Sequence, residues 1–255
     1  MDKDIFFSMV EKWTVHDYCA PGIKAEVILD MLLSEFIEEL IEYYYIKDIN
    51  RKIKAKMLTK EFPIRTNEAN LRNAKVDYLV SIDDEQLLLV ELKTTKDSFN
   101  EDQKKLMQEA IEKGVKDMVK FYCDIIRSKT GNRLDKRKYR NTFYKFCEKE
   151  ELTKEMGEDR LDNNVGIFQE KLIEKYAEVD YLYISLPELD EFKENKKKNL
   201  ILCDYCGSGE HTNGFREYIE SKDMEYRKCW ELVSEILKEC IEFADPKRIE
   251  RMDID

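Results

Sequence analysis

The chain has 255 residues, 42% hydrophobic and 39% charged, with a formal net charge of −11, a balance that suits a globular α/β domain and argues against a protein that coats nucleic acid nonspecifically. No run approaches the ~18 apolar residues that a bilayer span needs. The N-terminus (MDKDIFFSMVEKW) has no basic region followed by an apolar one, and seven cysteines without such a signal read as reduced thiols, so a cytoplasmic protein with no membrane partner is expected.

Residues 22–46 read as one long amphipathic helix. At about 100° per residue, Gly22, Ala25, Leu29, Leu33, Phe36, Leu40 and Tyr44 form an apolar stripe. Glu26 falls inside that stripe, Asp30 and Glu39 at its margins, and Glu35, Glu38 and Glu42 on the far side, as solvent-facing acids should. Residues 55–65 read as a strand interrupted by Pro63, and 75–82 and 86–95 as a strand pair around the polar turn Asp83-Asp84-Glu85. A helix capped by Ser98 or Asn100 runs to about Ser128, with Met107, Ala110, Ile111, Val115, Met118, Phe121, Tyr122 and Ile125 at helical spacing, and Thr130-Gly131-Asn132 breaks it. Residues 136–176 read as irregularly helical, with one helix from Asn164 to Tyr176. Two more strands follow at 178–186 and 198–204, then a loop at 207–214. A final helix at 223–243 puts Trp230, Val233, Ile236, Leu237 and Cys240 on one face. With few Gly or Pro and no internal repeat, one domain over 1–255 is expected: a core of about 20–128 and 178–205, a helical insertion at about 129–177 and the C-terminal helix.

The strand pair carries the chemistry. Alternation puts Leu87, Leu89, Glu91, Lys93 and Thr95 on one face of the second strand, and Asp77, Leu79 and Ser81 on one face of the first. If Asp83 to Glu85 form the loop, Ile82 faces Gln86 and Asp77 falls opposite Glu91. Opposed Cβ atoms lie about 4.5–5.5 Å apart, and two carboxylates at that range repel unless a cation sits between them or one is protonated. A loop one residue longer or shorter puts them on opposite faces. Glu26, facing the core, also needs a partner.

Gly22-Ile-Lys-Ala-Glu26 on the first helix, Asp77 on a strand, Glu91-Leu92-Lys93 on its hairpin partner and Gln103 on the next helix resemble the PD-(D/E)xK nuclease superfamily over roughly residues 20–110. The resemblance implies an α/β fold: a restriction-endonuclease-like mixed central sheet flanked by helices, in the order helix, three strands, helix, strand, here with a helical elaboration. It implies that Asp77 and Glu91 bind metal together with the backbone carbonyl of Leu92, and that Glu26 completes the shell directly or through water. It also implies that Lys93 orients or activates the attacking water and that Gln103 supports the site or touches the substrate backbone. Val76 stands where the pattern has Pro. The implied activity is metal-dependent hydrolysis of phosphodiester bonds, in DNA foremost, leaving a 5′-phosphate. Hard oxygen ligands make Mg²⁺ the expected cofactor, with Mn²⁺ able to substitute. The alternative is a non-catalytic module that binds nucleic acid or protein on the same fold, and a protein partner or homodimer is compatible with either.

Other constellations carry less. Arg127, Lys129, Arg133, Lys136, Arg137, Lys138 and Arg140, opposed only by Asp135, form either a phosphate-gripping patch or a solvated loop and helix start. Tyr139, Phe143 and Tyr144, interleaved there, either stack on bases or pack against the sheet. Cys203, Cys206 and His211 begin a zinc-knuckle spacing, but Arg216 stands where the fourth ligand would fall; the simpler reading is a strand end entering a loop. A second Glu-x-Lys triplet, Glu191-Phe192-Lys193, has no strand around it and reads as surface. No strained Gly-x-Ser-x-Gly turn or phosphate-cradling glycine loop is present.

Overall fold

A computed structural model of the chain describes residues 25–64, 74–94, 101–127, 133–150, 161–186, 196–206 and 210–244. Among these, seven α-helices accompany one five-stranded mixed sheet. In chain order they are α1 (Ala25–Leu33), α2 (Ile37–Asp48), β1 (Ala55–Ile64), β2 (Ala74–Ile82), β3 (Gln86–Lys93), α3 (Glu101–Arg127), α4 (Arg133–Lys149), α5 (Leu161–Lys175), β4 (Glu178–Ser185), β5 (Asn199–Ile201), α6 (Glu210–Glu220) and α7 (Met224–Ala244). The sheet order is β1-β2-β3-β4-β5. The pairs β1/β2 and β2/β3 are antiparallel and β4/β5 is parallel. Pro63 is tolerated because β1 stands at the end of this order, where a missing N–H costs no ladder bond on the open side.

Several expectations are corrected. The helix expected over 22–46 is broken at Ser34–Phe36 into α1 and α2. There the Ser34 hydroxyl donates to the Met31 carbonyl at 3.2 Å, and Phe36 N–H donates to Leu33 O three residues back, tightening the turn. α3 spans the expected stretch but is interrupted at Gly114, whose φ of 75° and ψ of 178° are open essentially to glycine alone. The irregular region at 136–176 resolves into α4 and α5, two regular helices. The strand expected over 198–204 stops at Ile201 and continues as a 3-10 turn over Leu202–Tyr205. The loop expected over 207–214 gives way to α6 from Glu210 onward. Ser98 and Asn100, the expected caps of α3, lie outside the described residues, as do Thr95, Thr130-Gly131-Asn132 and Glu191-Phe192-Lys193.

The chain divides into two compact units. The first comprises 1–52, 92–99 and 183–255 and is cored by aromatic rings. Trp230 is fully buried, 4.9 Å from Phe215 and 5.1 Å from Phe36 between ring centroids, in edge-on geometry. Tyr43 packs against Phe215 and Tyr205. Gly214 lets α6 come close to α2: a Cβ there would collide with the Tyr43 hydroxyl and lie 3.2 Å from its ring carbon. Glu42, expected on the solvent face, is instead buried at 7% exposure, accepting hydrogen bonds from Lys222 Nζ at 2.6 Å and from the Tyr218 hydroxyl.

The second unit comprises 53–91 and 100–182. Its β1-β2-β3 meander carries α3 and α4 through Phe62, Tyr122, Phe143 and Phe146, all fully buried. Phe143 is therefore core, not a base-stacking ring. Among the described residues no helix is long and apolar enough to cross a membrane, and Cys123, Cys147, Cys203, Cys206 and Cys229 are free thiols.

Candidate active site

The β2–β3 turn sets the site. Asp83 and Asp84 have φ of 54° and 61°, and Glu85 N–H donates to Ile82 O at 3.1 Å. Positive φ at both central residues marks a type I′ turn, whose twist matches that of the strands it joins. Asp tolerates this region better than most non-glycine residues. A second clasp holds the turn to the start of β1: Asp83 N–H donates to Lys54 O at 2.9 Å, and Lys54 N–H donates to Asp83 Oδ1 at 2.7 Å.

From that turn the register runs Ile82↔Gln86, Ser81↔Leu87, Val80↔Leu88, Leu79↔Leu89 and Tyr78↔Val90. This is the register expected from the sequence. The described pairing ends at Tyr78↔Val90; continued one residue, the same alternation would set Asp77 opposite Glu91 on the face of Leu79, Ser81, Leu87 and Leu89. Asp77 is half-buried and Glu91 is 5% exposed. The Gln103 amide, from the first turns of α3, donates a short hydrogen bond to Glu91 Oε1. The second unit holds Asp77, Glu91 and Gln103 and joins Gln103 to Glu91.

The unit boundary falls between Glu91 and Leu92. Leu92 and Lys93 finish β3, both buried, and the Lys93 carbonyl accepts the Leu186 N–H at 3.0 Å. Alternation turns the Lys93 side chain to the same face of the strand as Glu91. Glu26 belongs to α1, with its side chain outside the described residues. Among the described residues, no group of three or more His, Cys, Asp or Glu side chains forms a metal-ligand set. That holds also for Cys203, Cys206 and His211. Cys206 is buried, His211 lies stacked on Tyr205 with centroids 6.1 Å apart, and burial pushes the Cys203 thiol up to about 11.

On the same sheet face, Glu61 of β1 has φ of 55° and its carboxylate pairs with Lys75 at 2.9 Å. Of the basic stretch, exposed Arg127 donates to Gln169 Oε1 at 3.3 Å, and the side chains of 128–139 lie outside the described residues.

The sequence reading passed over a second polar group in this unit. Glu150, 5% exposed, receives Lys56 Nζ on Oε1 at 3.3 Å and Lys175 Nζ on Oε2. Lys175 also reaches Asp84 Oδ1 at 3.2 Å. Burial disfavours the Lys175 ammonium, but the hydrogen bond and charge of Glu150 outweigh it and hold its pKa above the ordinary value. A signal for Glu150 was present: Phe143, Phe146, Cys147 and Glu150 recur at helical spacing, so the acid continues an inward-facing stripe.

No family model matches the chain, and neither a curated protein nor a solved structure matches it.

Proposed function

We propose that the chain is a metal-dependent nuclease of PD-(D/E)xK type, hydrolysing phosphodiester bonds in nucleic acid and in DNA foremost. The observation that carries this reading is the Ile82↔Gln86 register, which, continued past Tyr78↔Val90, would bring Asp77 opposite Glu91. Gln103, the helix-borne residue of the same pattern, adds support by holding Glu91.

The donor set fits a small hard cation. Asp77 and Glu91 supply carboxylate oxygens on adjacent strands, and the repulsion between them is relieved when a divalent ion is shared. Asp77, Glu91 and the Leu92 carbonyl would hold Mg²⁺. When bound, the ion supplies a polarised phosphate and a more acidic water. The protein's own part is orientation. Gln103 fixes one oxygen of Glu91, so that carboxylate keeps its direction. Lys93, on the Glu91 face of β3, carries an ammonium that hydrogen-bonds the attacking water and offsets charge growing on the phosphate oxygens. Leu92 packs on the other face and keeps the strand anchored.

The test is a cleavage panel with Mg²⁺ or Mn²⁺ on single-stranded, duplex and branched DNA and on RNA. Wild type is run beside Asp77→Ala and Lys93→Ala. Cleavage by wild type, lost with EDTA and in both variants, is the expected result. Equal cleavage by all three proteins, or binding without cleavage of any substrate, overturns the reading; the latter favours a binding module.

A further inference from the structure

The Lys56–Glu150–Lys175 group is the floor of a pocket of about 600 Å³, lined also by Lys54, Ser81, Asp83 and Asp84. That size lies in the range of small-molecule sites. All seven residues belong to the second unit. The formal charges balance, three lysines against three acids, but the hydrogen-bonding capacities do not. Glu150 has both oxygens engaged, one by each floor lysine. An ammonium has three N–H donors. Lys56 spends two, on Glu150 and on the Lys149 carbonyl. Lys175 spends two, on Glu150 and Asp84. Each keeps one. The Lys54 ammonium is in no ion pair among the described residues; its backbone, not its side chain, holds the hairpin. Ser81, 1% exposed, places a hydroxyl in the same wall.

We infer that this pocket is a second binding site, taking a phosphoryl group through Lys54, Lys56, Lys175 and the Ser81 hydroxyl. The Glu150 carboxylate is a positioning group: it holds Lys56 and Lys175 side by side without consuming their last donors. Two ammonium groups held side by side by Glu150, each with a donor left, favour a tetrahedral oxyanion over a neutral ligand. The phosphoryl group comes either from a small phosphorylated molecule or from a nucleic-acid backbone. The inference does not depend on the nuclease reading, because neither Asp77 nor Glu91 lines the pocket.

The experiment is calorimetric titration of the full chain with inorganic phosphate at neutral pH and low salt, on wild type, Lys54→Ala and Lys54→Glu. Lys54 is exposed and in no ion pair, so both variants are expected to keep the wild-type melting curve. Saturable binding to wild type, weakened about tenfold in Lys54→Ala and abolished in Lys54→Glu, is the expected result. No saturable binding to wild type, or equal binding to all three proteins, overturns the site. Competition then separates the sources: displacement of phosphate by a single-stranded oligonucleotide assigns the site to a backbone, and displacement by a nucleoside monophosphate alone assigns it to a small molecule. Cleavage by wild type with no phosphate binding sinks this site and leaves the nuclease reading standing; phosphate binding without cleavage does the reverse.

Discussion

Glu91 and Glu150 are equally buried, each 5% exposed, yet their surroundings differ in kind. Glu150 lies just beyond the end of α4 with an ammonium on each oxygen. Glu91 lies within the sheet, with the neutral amide of Gln103 on one oxygen. A carboxylate closed by two lysines has its charge answered by the fold itself. In the proposed function Glu91 shares a cation with Asp77, which offsets the repulsion between two neighbouring carboxylates. The difference predicts that substitution at Glu150 is felt in stability and substitution beside Glu91 in activity.

The largest effect expected is on cleavage. Asp77→Asn should lower the rate of Mg²⁺-dependent cleavage by at least about 10². The same substitution should abolish the rise in melting temperature that Mg²⁺ gives the wild type; a variant that keeps the whole of that rise would show that Asp77 is not a ligand.

Next in size is Glu150→Ala, which leaves Lys56 and Lys175 facing each other. Both lysines are about one-third exposed, so the loss is smaller than for a fully buried pair: about 2 kcal/mol, read from the urea midpoint. The first unit offers a milder version. Lys222 serves Glu42 at 2.6 Å and Glu39 at 3.7 Å from a position 38% exposed. Lys222→Ala should cost about 1 kcal/mol by the same measurement, because Tyr218 still donates to Glu42.

The smallest effect concerns pH. Burial, opposed by a backbone hydrogen bond and by Lys222, raises the pKa of Glu39 above its ordinary 4.5. An acid whose pKa is raised by folding contributes stability that is complete below its ordinary value and is lost as pH rises through the raised one. Glu39→Gln should therefore be slightly more stable than wild type at neutral pH and lose that advantage below 4.5, as read from urea midpoints across that window.

The hairpin was the most legible part of the chain. Turn length, strand alternation and a polar Asp-Asp-Glu break are local properties, and together they set the Ile82↔Gln86 register without knowledge of anything else in the molecule. The inward stripe of α3 was legible for the same reason. The break between α1 and α2 was not, because Ser34 and Phe36 leave the apolar period intact while a side-chain hydroxyl and a tightened turn end the helix. α6 was missed because Gly207, Gly209 and Gly214 read as loop, whereas Gly214 serves a close approach to Tyr43.

The sequence by itself determined the β2–β3 hairpin and its register, since strand alternation and turn length act over short stretches. Only the tertiary structure decided which acids are buried and what meets them. Glu150 finds Lys56 from ninety-four residues away and Glu42 finds Lys222 from one hundred and eighty. Burial of a charge is tolerated only where distant elements deliver its partners, and no local pattern encodes where those elements will pack.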